Sequence, residues 1–268
     1  MKPYNIHIIS DSTGETAHNF ARACLVQFKD HAPIEYLWPL VRNKKNIDEA
    51  LKSVSQNPGP VLYTLINSEL SAYLESECQK LALPSIDLIG PIIQKLGTYL
   101  GEDCYGKPGL QHALDKDYFK RIDAIQFVLS HDDGQLVEDV HEADVILVGV
   151  SRVSKTPTCI YLANRGIKAL NIPIVKTTIL PKKLFDIQAP PIIALTCQAR
   201  RLVQIRENRF GNDQYGYLSE YTQISSVQSE VSEALQLYRK NGWPVIDVTK
   251  SSIEETASEI IKIISNPK

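Results

Sequence analysis

Short apolar runs alternate with helical patterns along almost the whole chain, and that alternation limits the fold more than any other feature. In the first half, residues 4–10, 34–41, 61–66 and 85–89 read as strands. Residues 13–28, 47–56, 68–81 and a stretch running through Leu100 read as the helices after them. A helix between consecutive strands returns the chain to the same end of a sheet, so the pattern predicts a mostly parallel sheet with helices packed on it. The pattern breaks at residues 101–109, where three glycines and a proline read as a linker or long loop. Residues 115–129 then resemble a helix, with apolar positions at Tyr118, Phe119, Ile122 and Ile125. The alternation resumes with strands at 143–150, 172–175, 191–195 and 244–248. Helices run from the loop after the first of these to about Arg165, and over 199–208, 227–241 and 253–265. Ser252 with Glu255 three residues later predicts a capping box at the last helix. No internal repeat and no low-complexity tract is visible. The expected organisation is an N-terminal, mostly parallel α/β domain over 1–105, a connecting helix and loop over 106–140, and a C-terminal α/β domain over 141–268, which the strand–loop–helix pattern Gly149-x-x-x-x-Ser154-Lys155-Thr156 marks as P-loop kinase-like.

Whole-chain chemistry narrows the function classes. A net charge of −2 on 268 residues carries no broad attraction for nucleic acid or an anionic membrane, although a local basic cluster can still hold a small anion. The five cysteines, Cys24, Cys78, Cys104, Cys159 and Cys197, have no close spacing. They read as reduced thiols, mostly buried, and not as a zinc site or disulfide framework. Residues 1–12 lack the basic-then-apolar layout of a signal peptide, and no apolar run approaches a bilayer span. The expectation is a soluble protein of the cytoplasm.

The chemistry concentrates where the strongest strand signal ends. The apolar run Val145-Ile146-Leu147-Val148 continues into Gly149-Val150-Ser151-Arg152-Val153-Ser154-Lys155-Thr156 and opens a helix. This is the layout of a phosphate-binding loop, with Ser154 in place of the second glycine of G-x-x-x-x-G-K-[ST]. Successive backbone N–H groups of such a loop face one point, and the helix N-terminus adds partial positive charge there. Lys155 can reach a terminal phosphate, and the Thr156 hydroxyl is placed to ligate a Mg²⁺ ion bridging phosphate oxygens. The bland alternative is a strand–turn–helix capped by Ser154 with a surface lysine. Pro157 suits a first helical turn on either reading.

At these residues the chain resembles the pyruvate, phosphate dikinase regulatory protein family. The loop Gly149-Val150-Ser151-Arg152, then Ser154-Lys155-Thr156-Pro157, looks like that family's loop, with Val153 where a threonine is usual. Further stretches agree in the same order: Ile9-Ser10-Asp11-Ser12-Thr13-Gly14-Glu15-Thr16, His131-Asp132-Asp133-Gly134-Gln135, Ile205-Arg206 with Asn208-Arg209, and Gly242-Trp243-Pro244-Val245-Ile246-Asp247-Val248-Thr249. The resemblance implies a bifunctional enzyme. Members phosphorylate a threonine of the dikinase with ADP as donor, inactivating it, and remove the phosphate with inorganic phosphate as acceptor, releasing pyrophosphate. A sister group acts similarly on phosphoenolpyruvate synthase. Ser154 and Ala163-Asn164-Arg165-Gly166-Ile167-Lys168 look more like the dikinase group. Dikinase is then the implied partner, ADP, Mg²⁺ and inorganic phosphate the implied small molecules, and a homodimer the form expected of a chain that works on a large partner.

Transfer to a threonine needs a group to take its proton. Asp11, Asp132 and Asp133 are the candidates, each at a strand end or turn; His131 is the other titratable one. The bland readings are a helix cap for Asp11, a surface turn for Asp132 and Asp133, and a structural histidine. Residues 10–16 resemble a second anion cradle, for inorganic phosphate or the target's phosphothreonine. Arg206 and Arg209, after Arg200 and Arg201, are three apart and could brace phosphates, against a solvated face with Glu207 as partner. Asp247 comes after an apolar run as a Walker B carboxylate would, or simply closes a turn; Trp243 reads as core. A small-molecule P-loop kinase and a non-catalytic nucleotide switch are the competing functions.

Overall fold

The computed structural model describes residues 2–28, 31–110, 116–131, 137–175, 190–210 and 221–266. The chain divides into two compact units, Met1–Ala113 and Leu114–Lys268.

The first unit runs β1 (Lys2–Ser10), α1 (Glu15–Leu25), β2 (His31–Trp38), α2 (Lys44–Gln56), β3 (Val61–Thr64), α3 (Ser68–Lys80), β4 (Ser85–Asp87) and α4 (Gly90–Leu100). Its four strands lie in the order β2-β1-β3-β4, and every pairing is parallel. Residues alternate across the sheet, as a period of two requires. Ile9, Val61 and Tyr63 face α2 and α3, while Ile6, Ile8 and Leu62 face α1. Asn43 caps α2 by accepting from the Asn46 N–H at 2.9 Å, and Asn67 caps α3 by accepting from Glu69 and Leu70. Behind those caps, Ile47, Ala50 and Val54 on α2 and Leu74 and Cys78 on α3 recur at helical spacing and are buried. The glycine-rich stretch expected to link two domains belongs to this unit. Tyr105, Gly106, Lys107 and Gly109 line a cavity over the end of β1.

The second unit contains α5 (Lys116–Ser130), a 3₁₀ turn (Val137–Glu142), β5 (Val145–Gly149), α6 (Lys155–Ala163), β6 (Ala169–Pro173), β7 (Ile192–Thr196), α7 (Ala199–Phe210), α8 (Ile224–Lys240), β8 (Val245–Asp247) and α9 (Ile253–Ser265). Its sheet has the order β6-β5-β7-β8, again parallel throughout. The two α/β units therefore share one strand order, second-first-third-fourth. The sequence shows no repeat because the shared property is the order of strands and crossovers, which many unrelated apolar sequences satisfy. β6 begins three residues before the expected 172. Asn171 breaks the apolar run, and it is buried because its side chain hydrogen-bonds to Thr156 at 2.9 Å. The capping box of α9 is present in both directions, Ser252 to the Glu255 N–H and Glu255 to the Ser252 N–H. Trp243 packs partly buried against the core of this unit. Cys78, Cys159 and Cys197 are buried, Cys24 and Cys104 exposed; burial pushes the Cys78 thiol up to about 11. Among the described residues no helix is long and apolar enough to cross a membrane.

In this strand order the crossovers leave the first strand in one direction and the third in the other. The C-terminal ends of β1 and β3, and of β5 and β7, are thus topological switch points, where open parallel sheets hold ligands.

One buried side chain makes the first sheet pH-sensitive. His7 on β1 is fully buried, stacks on Tyr36 at 4.7 Å between ring centroids, and bonds through Nε2 to the Asn57 carbonyl at 2.9 Å. Burial lowers its pKa below the ordinary 6.5. The unfolded chain then binds this proton first as pH falls, so stability is lost below about 6.5 and restored above it. We expect the urea midpoint to fall between about pH 8 and pH 5.5, and His7→Phe to be less stable but with a flatter pH profile. An unchanged slope in the variant would take His7 out of this role.

Candidate active site

β5 is buried at all five positions and delivers the chain to Gly149 at the switch point. A Cβ at Gly149 would sit 2.7 Å from Val153 Cγ2 and 2.8 Å from the Leu195 carbonyl oxygen of β7. Only glycine lets the two strands and the returning loop approach this closely. Val150 and Val153 are buried in the unit's core, so the loop is anchored at two apolar points. Between and after them, Ser151 and Arg152 are half-buried and Ser154 is exposed. Val153, which stands where the resembled loop usually has a threonine, is therefore an anchor. Its sequence signal was an apolar residue inside an otherwise polar loop.

Arg152 and Ser154 both take left-handed backbone conformations, φ 77° and 58°, with Val153 between them outside that region. Such alternation turns successive N–H groups toward one side, which makes a concavity for an anion. Ser154 is the N-cap residue of α6, and its side chain makes no capping bond. A glycine would occupy this conformation without the Cβ penalty, which is the physical sense of the glycine that this position holds in the general loop pattern.

Lys155 opens α6 and is only 6% exposed. Its Nζ donates to the Val150 carbonyl at 2.9 Å, so the ammonium spans the loop from one end to the other. Thr156 is half-buried, and its Oγ1 accepts from the Asn171 amide at 2.9 Å, a bond that orients the hydroxyl. Thr158 ties the first turn together by donating to the Ser154 carbonyl at 2.7 Å. Mg²⁺ takes few protein ligands when phosphate oxygens and water complete its shell, so the single Thr156 hydroxyl is a fitting donor set for it.

Arg206 reaches the same loop, though not as a solvated phosphate brace. It shares the inward face of α7 with Leu202, four residues earlier, and is 1% exposed. Its partner is Glu230 on α8, at 2.8 and 3.0 Å, and not Glu207. It also donates to the Ser151 carbonyl at 3.1 Å. Arg209 lies on α7, and its side chain is outside the described residues.

Of the other expected residues in this unit, His131 and Asp247 are engaged elsewhere. Asp11 belongs to the first unit, at the end of β1. It is 4% exposed and accepts from the Ile66 N–H at 2.7 Å, which ties β1 to the end of β3; burial raises its carboxyl pKa. With Ser10, Ser12, Gly14, Thr64 and Lys107 it lines a cavity of about 320 Å³. Gly14 there has φ +82° and is the N-cap of α1. His131 is buried at the end of α5, stacked on Phe127 at 4.1 Å, with Nδ1 at 2.8 Å from the Phe127 carbonyl and 2.9 Å from Ser130 Oγ. That is the geometry of a structural histidine. Asp132 and Asp133 lie outside the described residues. Asp247 is exposed at the end of β8 and accepts from the Thr249 N–H and hydroxyl, closing a turn. Sequence reasoning missed Asn171, Tyr221 and Glu230, none of which has a local signal.

Residues 6–261 match the family model described as kinase/pyrophosphorylase. The chain belongs to the kinase/pyrophosphorylase family. Relatives of about its own length agree. A protein of Erythrobacter litoralis is 44% identical over 263 residues, 98% of this chain and 95% of the relative. One of Rhodopseudomonas palustris strain BisB5 is 44% identical over 270 residues, with the same coverage. One of Nitrobacter winogradskyi is 44% identical over 266 residues, 99% of this chain and 95% of the relative. All three are provisionally named as pyruvate, phosphate dikinase regulatory proteins. Membership of the kinase/pyrophosphorylase family assigns the chain to a class of bifunctional regulatory enzymes.

The loop's strain is measurable. We expect Ser154→Gly to raise stability by roughly 0.5–1 kcal/mol by relieving the left-handed conformation, and Gly149→Ala to lower it by more than that. Chemical denaturation of both variants checks this; a destabilised Ser154→Gly protein would contradict the loop geometry.

Proposed function

We propose that this chain regulates pyruvate, phosphate dikinase in both directions. With ADP as donor it transfers the terminal phosphoryl group to a threonine of the dikinase, releases AMP and inactivates the dikinase. With inorganic phosphate as acceptor it removes that phosphate, releases pyrophosphate and restores activity. The observation that carries the reading is the loop over 149–156, which brings left-handed turns, a helix N-terminus and the Lys155 ammonium to one switch point. The provisional names of relatives that match nearly the whole chain support the dikinase as target.

Phosphoryl transfer asks a protein mainly for positioning and charge neutralisation. In this reading the amides of the loop hold phosphate oxygens and orient the chain of phosphates. Lys155 exchanges the Val150 carbonyl for a phosphate oxygen and neutralises charge on the transferring group. Thr156, oriented by Asn171, would hold Mg²⁺, which would supply positive charge to phosphate oxygens. The same cradle serves both directions, because in each the phosphoryl group passes between a threonine oxygen and an oxygen of a second phosphate, that of AMP in one and inorganic phosphate in the other. For the proton of the target threonine we retain Asp132 and Asp133 as candidates. Asp11 is engaged with the Ile66 amide, and His131 with the end of its own helix.

Lys155→Ala should keep the fold and lose transfer by at least about 100-fold in both directions, since a charge aimed at the transition state is removed. The assay incubates the protein with labelled donor and either dikinase or phosphoenolpyruvate synthase, and maps phosphothreonine. Label on the synthase alone would move the target, and label on a free nucleotide would make the chain a small-molecule kinase. Reactivation should depend on inorganic phosphate and yield pyrophosphate; threonine freed without pyrophosphate would rule out phosphorolysis.

A further inference from the structure

Arg206 is the largest of the fully buried side chains among the described residues. Four guanidinium N–H bonds account for its surroundings. Two go to the Glu230 carboxylate at 2.8 and 3.0 Å, one to the Tyr221 carbonyl at 3.0 Å, and one to the Ser151 carbonyl at 3.1 Å. The guanidinium also lies over the Tyr221 ring, 4.1 Å from its centroid. The hydroxyl of that tyrosine meets Ser151 Oγ at 2.9 Å. One loop residue is thus held twice, at its carbonyl by Arg206 and at its hydroxyl by Tyr221, and the two holders are stacked on each other.

Holding Ser151 has a consequence one bond further on. A trans peptide is planar, with its C=O and the next N–H pointing opposite ways. Drawing the Ser151 carbonyl toward Arg206 therefore turns the Arg152 N–H away from α7. Arg152 is also one of the loop's two left-handed residues, a conformation unfavourable for any residue but glycine. Such a conformation persists only where its surroundings over-determine it. Here the bonds to the preceding carbonyl and hydroxyl supply that constraint.

We propose that Arg206, Glu230 and Tyr221 are positioning residues that fix the Ser151–Arg152 peptide so that its N–H is presented to a nucleotide phosphate. The inference rests on the phosphate-binding reading of the loop and adds to it the device that holds the loop in its binding conformation. None of the three touches the phosphate. Arg206 sets the peptide, Glu230 fixes the guanidinium plane, and Tyr221 locks the serine hydroxyl while covering the guanidinium face.

A purely structural role, joining α7 to α8, predicts something different. Exchanging a buried ion pair for apolar side chains of similar volume is often neutral for stability, whereas removing one partner leaves a buried charge orphaned. The double variant Arg206→Met/Glu230→Leu therefore separates the two roles. ADP binding is measured by calorimetry on wild type, the double variant, Arg206→Lys and Tyr221→Phe, alongside thermal denaturation and the transfer kinetics with dikinase. Wild type should bind ADP. The double variant should melt near wild type, and both it and Arg206→Lys should bind ADP about tenfold more weakly or worse, with KM for ADP raised. Arg206→Lys keeps the charge but cannot serve Glu230 and Ser151 together. Tyr221→Phe keeps the stacking and should lose about fivefold, the worth of one net hydrogen bond. Folded variants that bind ADP within twofold of wild type would overturn the latch and leave the loop's function standing. If the double variant does not fold, Tyr221→Phe decides by the same twofold criterion. Wild type that binds no ADP would overturn the loop reading itself, and the latch with it.

Discussion

The loop at the end of β5 exists in its present form because the backbone there runs too close to its neighbours to carry a side chain. At Gly149 the strand, the carbonyl of Leu195 on β7 and the methyl of Val153 converge on the volume that a Cβ would fill. That contact forces the chain to leave the sheet sharply and return at once into α6. The later residues of the loop serve the same turn. Val150 and Val153 drive into the core, Lys155 ties the end of the loop to its beginning, and Arg206 holds the peptide between them. The Val150 and Ser151 carbonyls are each held by a partner of their own.

The two units show what a shared topology does and does not transmit. Each places its first strand inside the sheet and ends it at a switch point, and each continues from that strand into a loop whose N-cap residue is left-handed, Gly14 in one and Ser154 in the other. The residues after the cap differ in sign. Glu15 is exposed at the start of α1, whereas Lys155 is buried at the start of α6. Strand order positions both loops, but only the second carries a cation folded into its own backbone. On the proposed reading, phosphate chemistry is a property of side chains laid on a topology that occurs twice.

Much of the architecture is legible in the sequence because its signals are local. Alternating apolar runs, the asparagine and serine caps, and the glycine-to-lysine loop each depend on residues within one or two turns of each other. The errors have the opposite origin. The true start of β6 is hidden because Asn171 looks like a strand breaker until its bond to Thr156 is known. Arg206 looks solvated or phosphate-facing because its partner Glu230 lies 24 residues away. His131 and Asp11 each draw attention as titratable groups in turns. Asp11 accepts from the Ile66 N–H, 55 residues away, which no spacing rule brings into view, whereas His131 bonds only four residues back, to the Phe127 carbonyl.

By itself the sequence determined the order of strands and helices, the parallel sheets and the family, since periodicity, caps and motifs are read along the chain without knowing what touches what. It also determined which eight residues form the loop. Only the tertiary structure decided what those residues can be used for: that Val153 is an anchor, that Ser154 stands in a glycine's conformation, and that Ser151 is gripped from two later segments. The reason is that burial and hydrogen-bond partnership depend on distance in space. An arginine has the same chemistry on any helix face until the carboxylate and carbonyls around it are fixed, and those arrive from segments that the linear order keeps apart.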